Sequence, residues 1–208
     1  MAVSFDLFGT LVAVERPEDP AAAVARELRD RGVSVPGDWE RAYRERHVDA
    51  PAGAEVPLPA HVAAALDSRG VTPPGNAVRR AVVAAFDPAV ETRSGAAAAV
   101  DAAAERGPVG LLSNCSVPAM ARRALVRSTL DRDAFDAVVT SSACGWRKPD
   151  ARAFEAVADE LSVPVEDLVH VGDEPATDGG VRDAGGTAIL LAVTSLSAVP
   201  DALAGGAD

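Results

Sequence analysis

Asp6 follows the apolar run Ala2-Val3-Ser4-Phe5 and precedes Gly9-Thr10. A carboxylate at such a strand-to-turn boundary can ligate a metal ion, attack a phosphorus or carbon centre, or cap a loop. Taken alone, the stretch reads as turn chemistry. Three later stretches carry groups that could act with it. Ser113-Asn114 follows the apolar run 108–112, Lys148 lies in Arg147-Lys148-Pro149-Asp150, and Asp173 follows 168–172 with Glu174 and Asp178 close behind. Asp6 and Asp173 would supply hard oxygen ligands of the kind Mg²⁺ takes, one or two carboxylates at a time with phosphate completing the shell. Ser113 and its neighbouring backbone N–H groups would hydrogen-bond a phosphoryl group, and Lys148 would offset its charge and that of Asp6. Asp6 could then attack as a carboxylate nucleophile and form an aspartyl-phosphate.

These groups work together only if the fold brings them to one edge. Five short apolar runs read as strands: 2–5, 108–112, 137–140, 168–171 and 187–191. Between the later ones lie helix-like stretches, clearest over 150–161, where Phe154, Val157, Ala158 and Leu161 share a face. Ser94 and Ser116 stand where they could cap helices, a further helix is expected around 179–184, and the tail 196–203 reads as helical. Strands alternating with helices predict an α/β, Rossmann-like, doubly wound parallel sheet. In such sheets ligands bind beyond the carboxyl ends of the strands. Asp6, Ser113, Lys148 and Asp173 all fall at or after such ends.

Residues 21–90 differ. They contain four helix-like stretches (21–31, 38–49, 59–68 and 75–86), Pro and Gly at every junction, and no convincing strand. The expected organisation is a core of 1–13 plus 91–208, with an all-helical insert at 14–90.

The net charge of −11 argues against nucleic acid or an anionic membrane as a partner. No apolar run is long enough for a membrane span and no signal-peptide pattern opens the chain, so a cytoplasmic location is expected. Two cysteines, Cys115 and Cys144, are too few for a disulfide framework. Of the 20 basic residues only Lys148 is a lysine. Against an arginine background, that one compact point charge marks its position.

Four stretches in this order resemble the haloacid dehalogenase-like hydrolase superfamily: Phe5-Asp6-Leu7-Phe8-Gly9-Thr10-Leu11, Leu112-Ser113-Asn114, Arg147-Lys148-Pro149-Asp150, and Val171-Gly172-Asp173 with Asp178. The resemblance covers the whole chain and extends to the helical-cap subgroup. It implies a Rossmann-like core with the insert closing over the site. It also implies Asp6 as nucleophile, Ser113, Asn114 and Lys148 as phosphate-holding groups, and a small phosphorylated metabolite as substrate. Mg²⁺ would be held by Asp6, the Phe8 carbonyl, Asp173 and Asp178.

One position departs from the pattern. Family phosphatases carry a second Asp two residues after the nucleophile, as general acid and base; here it is Phe8. A positioned acid or base contributes about 10²–10⁴-fold, and a phenyl ring supplies none. Three readings remain: a Mg²⁺-dependent phosphohydrolase that manages without that Asp, a metal-independent 2-haloacid dehalogenase, whose halide leaves without a proton, and a non-catalytic relative that binds a phosphorylated ligand or a partner protein. The acidic fourth stretch favours the first.

Other reactive-looking residues have plainer readings. His170 sits inside an apolar strand and reads as a packed, hydrogen-bonded histidine. Cys115 and Cys144 read as small buried residues. Trp146 reads equally as pocket wall or core cover. Arg41, Arg44 and Arg46 read as a solvated helix face.

Overall fold

The structure, a computed structural model, describes residues 1–205. Its core is a five-stranded parallel sheet. The first strand, β1 (Ala2–Phe5), is buried along its whole length. That is the burial pattern of a central strand covered on both faces. The chain then makes a short β2 (Val12–Val14) and enters four helices: α1 (Pro20–Arg29), α2 (Trp39–Arg44), α3 (Leu58–Asp67) and α4 (Ala77–Ala85). It returns through β3 (Val90–Thr92), α5 (Ala96–Ala104), β4 (Val109–Ser113), α6 (Met120–Arg127), β5 (Ala137–Thr140), α7 (Ser141–Cys144) and α8 (Ala151–Glu160). The last elements are β6 (Leu168–Gly172), α9 (Pro175–Asp178), β7 (Thr187–Leu190) and α10 (Val199–Gly205).

The sheet order is β5-β4-β1-β6-β7. The chain starts in the middle and winds outward on both sides, so the order reverses at β1. Parallel register sets Phe5 beside Leu111 of β4 and Val171 of β6. The residues following these three strands therefore emerge together at the switch point, where α/β sheets bind ligands. Helices cover both faces. One core joins Val3, Phe5 and Leu111 to Val100 of α5, Leu125 of α6 and Leu203 of α10. The other joins Leu112, Val139 and Leu168 to Phe154, Val157 and Leu161 along α8.

The four helices between β2 and β3 have a core of their own, built on Val24, Leu28, Trp39, Val62, Leu66, Val78 and Val82. The Trp39 indole donates to Ala21 O at 2.8 Å. Cys115 and Val117, just beyond β4, reach into this core and join it to the sheet edge. β2 and β3 pair antiparallel, with Val12 opposite Thr92 and Val14 opposite Val90.

Several local expectations are corrected. β3 is a strand where none was expected, because three half-exposed residues carry no apolar signal. α2 stops at Arg44, where Glu45 turns extended, instead of running to 49. Ser94 does not cap α5; Gly95, with φ +86°, precedes it. Ser116 does not cap α6, which starts after Ala119 in the left-handed region, and its hydroxyl accepts from Arg147 instead. The helix expected at 179–184 is only a tight 3-10 turn over Gly179–Arg182, following the single turn α9 that Glu174 caps.

Candidate active site

The bare end of β1 places Asp6 at the floor of a cavity of about 330 Å³. Its lining includes Phe8, Ser113, Asn114, Lys148, Asp173 and Asp178. Every side chain expected at the site therefore faces one space. Arg16, Arg147, Glu174 and Thr177 line it too.

Lys148 is the hub. It is nearly fully buried, and its Nζ donates to Asp6 Oδ1 at 2.9 Å, Asp178 Oδ1 at 2.6 Å and Leu112 O at 2.9 Å. Three donors meet three acceptors, so the ammonium is fully engaged. The loop carrying it is fixed by Asn114, whose amide both donates to Lys148 O and accepts from Lys148 N, at 2.9 and 2.8 Å. Asn114 thus holds the lysine loop beside β4.

Asp178 is held on every side. Its Oδ1 also meets His170 Nε2 at 3.1 Å, and its Oδ2 accepts from Glu174 N at 2.9 Å. This approach needs Gly172, because a Cβ there would come within 2.1 Å of Asp178 Cγ. The other ring nitrogen of His170, Nδ1, lies 2.8 Å from Ser4 Oγ. A polar ring thus runs from Ser4 through His170, Asp178 and Lys148 back to Asp6, two residues along the same strand. His170 is the packed, hydrogen-bonded residue expected, with its ring edge-on to Phe154.

The electrostatics follow from burial. Burial pushes the Asp6 carboxyl above its ordinary range, opposed by the neighbouring Lys148 charge. Burial would also raise Asp178, but its His170 hydrogen bond and Lys148 outweigh it and hold this carboxyl well below the usual range. Burial, with Lys148 beside it, pushes His170 down to about 4. At neutral pH the histidine is uncharged, and its Nε2–H donates to Asp178 while Nδ1 accepts from Ser4.

Asp173 stands apart from this ring. Its Oδ1 accepts from Thr10 Oγ1 at 2.7 Å, and its carboxylate lies under Gly9, where a Cβ would come within 2.4 Å of Oδ2. Gly9 has φ +96°, so glycine both permits the turn and clears the acid. Ser113 is 2% exposed, and its Oγ lacks a hydrogen-bond partner among the described residues. A buried unpaired hydroxyl is rare enough to require a reason, and this one lines the cavity. The matches to known proteins begin with the family: a haloacid dehalogenase-like hydrolase profile fits residues 1–185.

The chain belongs to the haloacid dehalogenase-like hydrolase family.

Over 94 residues it is 36% identical to "Phosphatase MT3486" of Mycobacterium tuberculosis. That match covers 45% of this chain and 43% of the relative, so the chain spans less than half of the length of this curated relative. The 2-haloacid dehalogenase of Pseudomonas syringae pv. tomato has the same fold, with a TM-score of 0.64, 19% identity and 99% of each chain covered. So has the haloacid dehalogenase-type phosphatase of Thermococcus onnurineus, with a TM-score of 0.52 and 19% identity, over 91% of this chain and 85% of that one.

Within this haloacid dehalogenase-like hydrolase, Arg16 is the site residue that sequence reasoning missed. It sits in a polar, Pro-containing link with no periodicity to mark it. The sequence marks Arg147 only as part of the lysine motif. Its Nη1 donates to Glu55 at 2.6 Å and to Ser116 Oγ at 3.1 Å. Trp146 lies outside the cavity lining, and its ring lies under the Arg152 guanidinium, 3.2 Å away. Arg41, Arg44 and Arg46 are largely exposed and paired with Asp38, Glu40 and Asp49, as a solvated face would be. No described helix is long and apolar enough to cross a membrane.

Proposed function

We propose that the protein is a phosphohydrolase that transfers a phosphoryl group from a small metabolite to Asp6 and then to water. The supporting observation is the unpartnered Ser113 hydroxyl, buried beside the Asp6–Lys148 pair. A phosphoryl oxygen would complete its hydrogen bonding. In the first step an Asp6 oxygen attacks phosphorus and the bond to the leaving oxygen breaks. The leaving group departs with the electron pair and takes a proton from water, since Phe8 has none to give. In the second step water attacks the phosphorus of the aspartyl-phosphate, the bond from phosphorus to the Asp6 oxygen breaks, a proton of that water neutralises the hydroxide left by the first step, and inorganic phosphate and the Asp6 carboxylate are released. Ser113 and Asn114 would hold the phosphoryl oxygens, and the Lys148 charge, kept beside Asp6, would offset theirs throughout.

The donor set fits Mg²⁺. No group of three or more metal-ligating side chains lies together among the described residues. Mg²⁺, however, binds through one or two carboxylates plus phosphate. Asp6 and Asp173 face the same cavity, and Gly9 clears the space Asp173 occupies. Asp6, Asp173 and the Phe8 carbonyl would hold the ion. Asp178 has both oxygens engaged, and its role in this reading is to orient Lys148. Bound there, Mg²⁺ would neutralise charge on the phosphoryl group.

A second reading, hydrolysis of 2-haloacids, is favoured by one feature. The Phe8 ring lines a further cavity of about 240 Å³ with Leu58, Phe86, Val117 and Met120. An apolar wall suits a carbon centre whose halide leaves unprotonated. Turnover of phosphate esters, acyl phosphates and short 2-haloacids, with Mg²⁺ and with chelator, separates the two. Phosphate release that needs Mg²⁺ is expected. Halide release that survives chelator would replace the proposal with the second reading.

A further inference from the structure

The two cavities meet at four residues: Phe8, Arg16, Asn114 and Arg147 line both. Two of the four are guanidinium groups at the junction of a polar half and an apolar half. Arg16 has no hydrogen bond or ion pair among the described residues, although the chain is rich in carboxylates. Arg147 is anchored by Nη1 to Glu55, whose side chain is 2% exposed, while its Nε and Nη2 are unbonded among the described residues. Glu55 is fixed in turn by the Ser141 hydroxyl and by its own N–H on Gly145 O. One arginine is thus held in place and the other unpaired among the described residues, and both line the cavity that Asp6 lines.

We propose that Arg16 and Arg147 bind a carboxylate on the substrate, next to the scissile group, while an apolar substituent enters the cavity of Leu58, Phe86, Val117 and Met120. The substrate class is a phosphorylated 2-hydroxy acid with an aliphatic or aromatic side chain. The inference rests on the proposed attack by Asp6. Guanidinium forks match a planar carboxylate in bidentate fashion. The phosphoryl group already has Ser113, Asn114 and the Lys148 charge. A second phosphate would bring more charge against Phe8, Cys115 and Val117 than a carboxylate does, and desolvating it there costs more.

The test compares phosphate esters of 2-hydroxy acids with their carboxamides, each with methyl, isobutyl or benzyl side chains. The acids should exceed the amides in kcat/KM by about 10–100-fold, the range of one charge-assisted pair. Arg16→Gln should collapse that ratio toward one. Phe86→Ser should instead collapse the preference for the larger side chains. Equal turnover of acid and amide, or a ratio that Arg16→Gln does not change, overturns the inference and leaves the phosphohydrolase reading standing. If no ester is hydrolysed, calorimetry on Asp6→Asn with the matching phosphonates decides the point. Binding of acid over amide that depends on Arg16 upholds the carboxylate site while the reaction class falls, and equal binding overturns it. Halide release from 2-haloacids but not 2-haloamides, lost in Arg16→Gln, would also uphold the site and reassign the reaction.

Discussion

The two halves of the site are built on opposite principles. At the sheet edge, Asp6, Lys148, Asp178, His170 and Ser4 form a closed ring in which the ammonium and the Asp178 carboxylate are fully engaged. On the side of the helical insert, Arg16 is exposed and unpaired among the described residues, and Phe8, Phe86 and Met120 are only half-buried. A buried polar network holds a geometry only when every member is satisfied, and then it holds it tightly. In the proposed reaction, chemistry that must meet one transition state would fall to the rigid half, and recognition to the half with room to take different substituents. Changes in the ring should therefore alter kcat, those that leave a buried charge unpaired should alter stability as well, and changes in the apolar half should alter KM.

Asp6→Asn is the largest break. Loss of the nucleophile should lower turnover by about 10⁴-fold or more. Because burial already disfavours the charged carboxyl, the neutral amide should leave the melting temperature nearly unchanged. Turnover within tenfold of the parent would remove Asp6 from the reaction.

Lys148→Met comes next. It leaves Asp6 and Asp178 buried without their shared counter-charge, and breaking a buried pair this way costs about 3–5 kcal/mol. Urea unfolding should show that loss, and adding Asp178→Asn should recover part of it. A loss below about 1 kcal/mol would mean that the ring is not the rigid half described.

The third test uses pH. His170 titrates at about 4 in the folded protein, against its ordinary 6.5. The unfolded chain takes up the proton first, so this stability is fully present above pH 6.5 and is lost as pH falls toward 4. At 1.36 kcal/mol per pH unit, the loss reaches about 3 kcal/mol. His170→Gln keeps a donor toward Asp178 without titrating, and should flatten the slope in that window. Asp178 lies below its ordinary 3.8 and acts only at lower pH, so the two effects separate. An unchanged slope in His170→Gln would place the acid sensitivity elsewhere.

The rigid half was the legible one. Asp6, Ser113 and Asp173 end or follow short apolar runs that read as buried strands, and a parallel sheet brings such ends together whatever the intervening chain does. Lys148 stood out because the background is arginine. The ring's closure through Ser4 and His170 was not legible. It depends on the β1–β6 register, which sets Ser4 beside His170, and no local pattern carries that pairing. Arg16 lies in a link without periodicity, and only the path of the chain from β2 into α1 brings it over the site. Side-chain caps were overestimated at Ser94 and Ser116, where Gly95 and Ala119 enter the helices in left-handed conformations instead.

Glu55 is the smallest test and the one that crosses between the halves. It comes from the insert, yet its carboxylate accepts from Arg147 and Ser141 of the sheet side, and its neighbour Ala54 pairs with Trp146. Glu55→Gln keeps the shape and removes the charge that holds Arg147. Hydrogen bonds to charged groups contribute about 1.5–3 kcal/mol, but Arg147 is partly exposed and retains Ser116, so the shift should sit at the low end. The expected result is a KM raised by about three- to tenfold with kcat within about twofold, because Arg147 touches neither Lys148 Nζ nor Asp178. A kcat falling in step with kcat/KM would show that Arg147 acts in the transition state, and the division between a rigid reacting half and an adaptable binding half would fail at that residue.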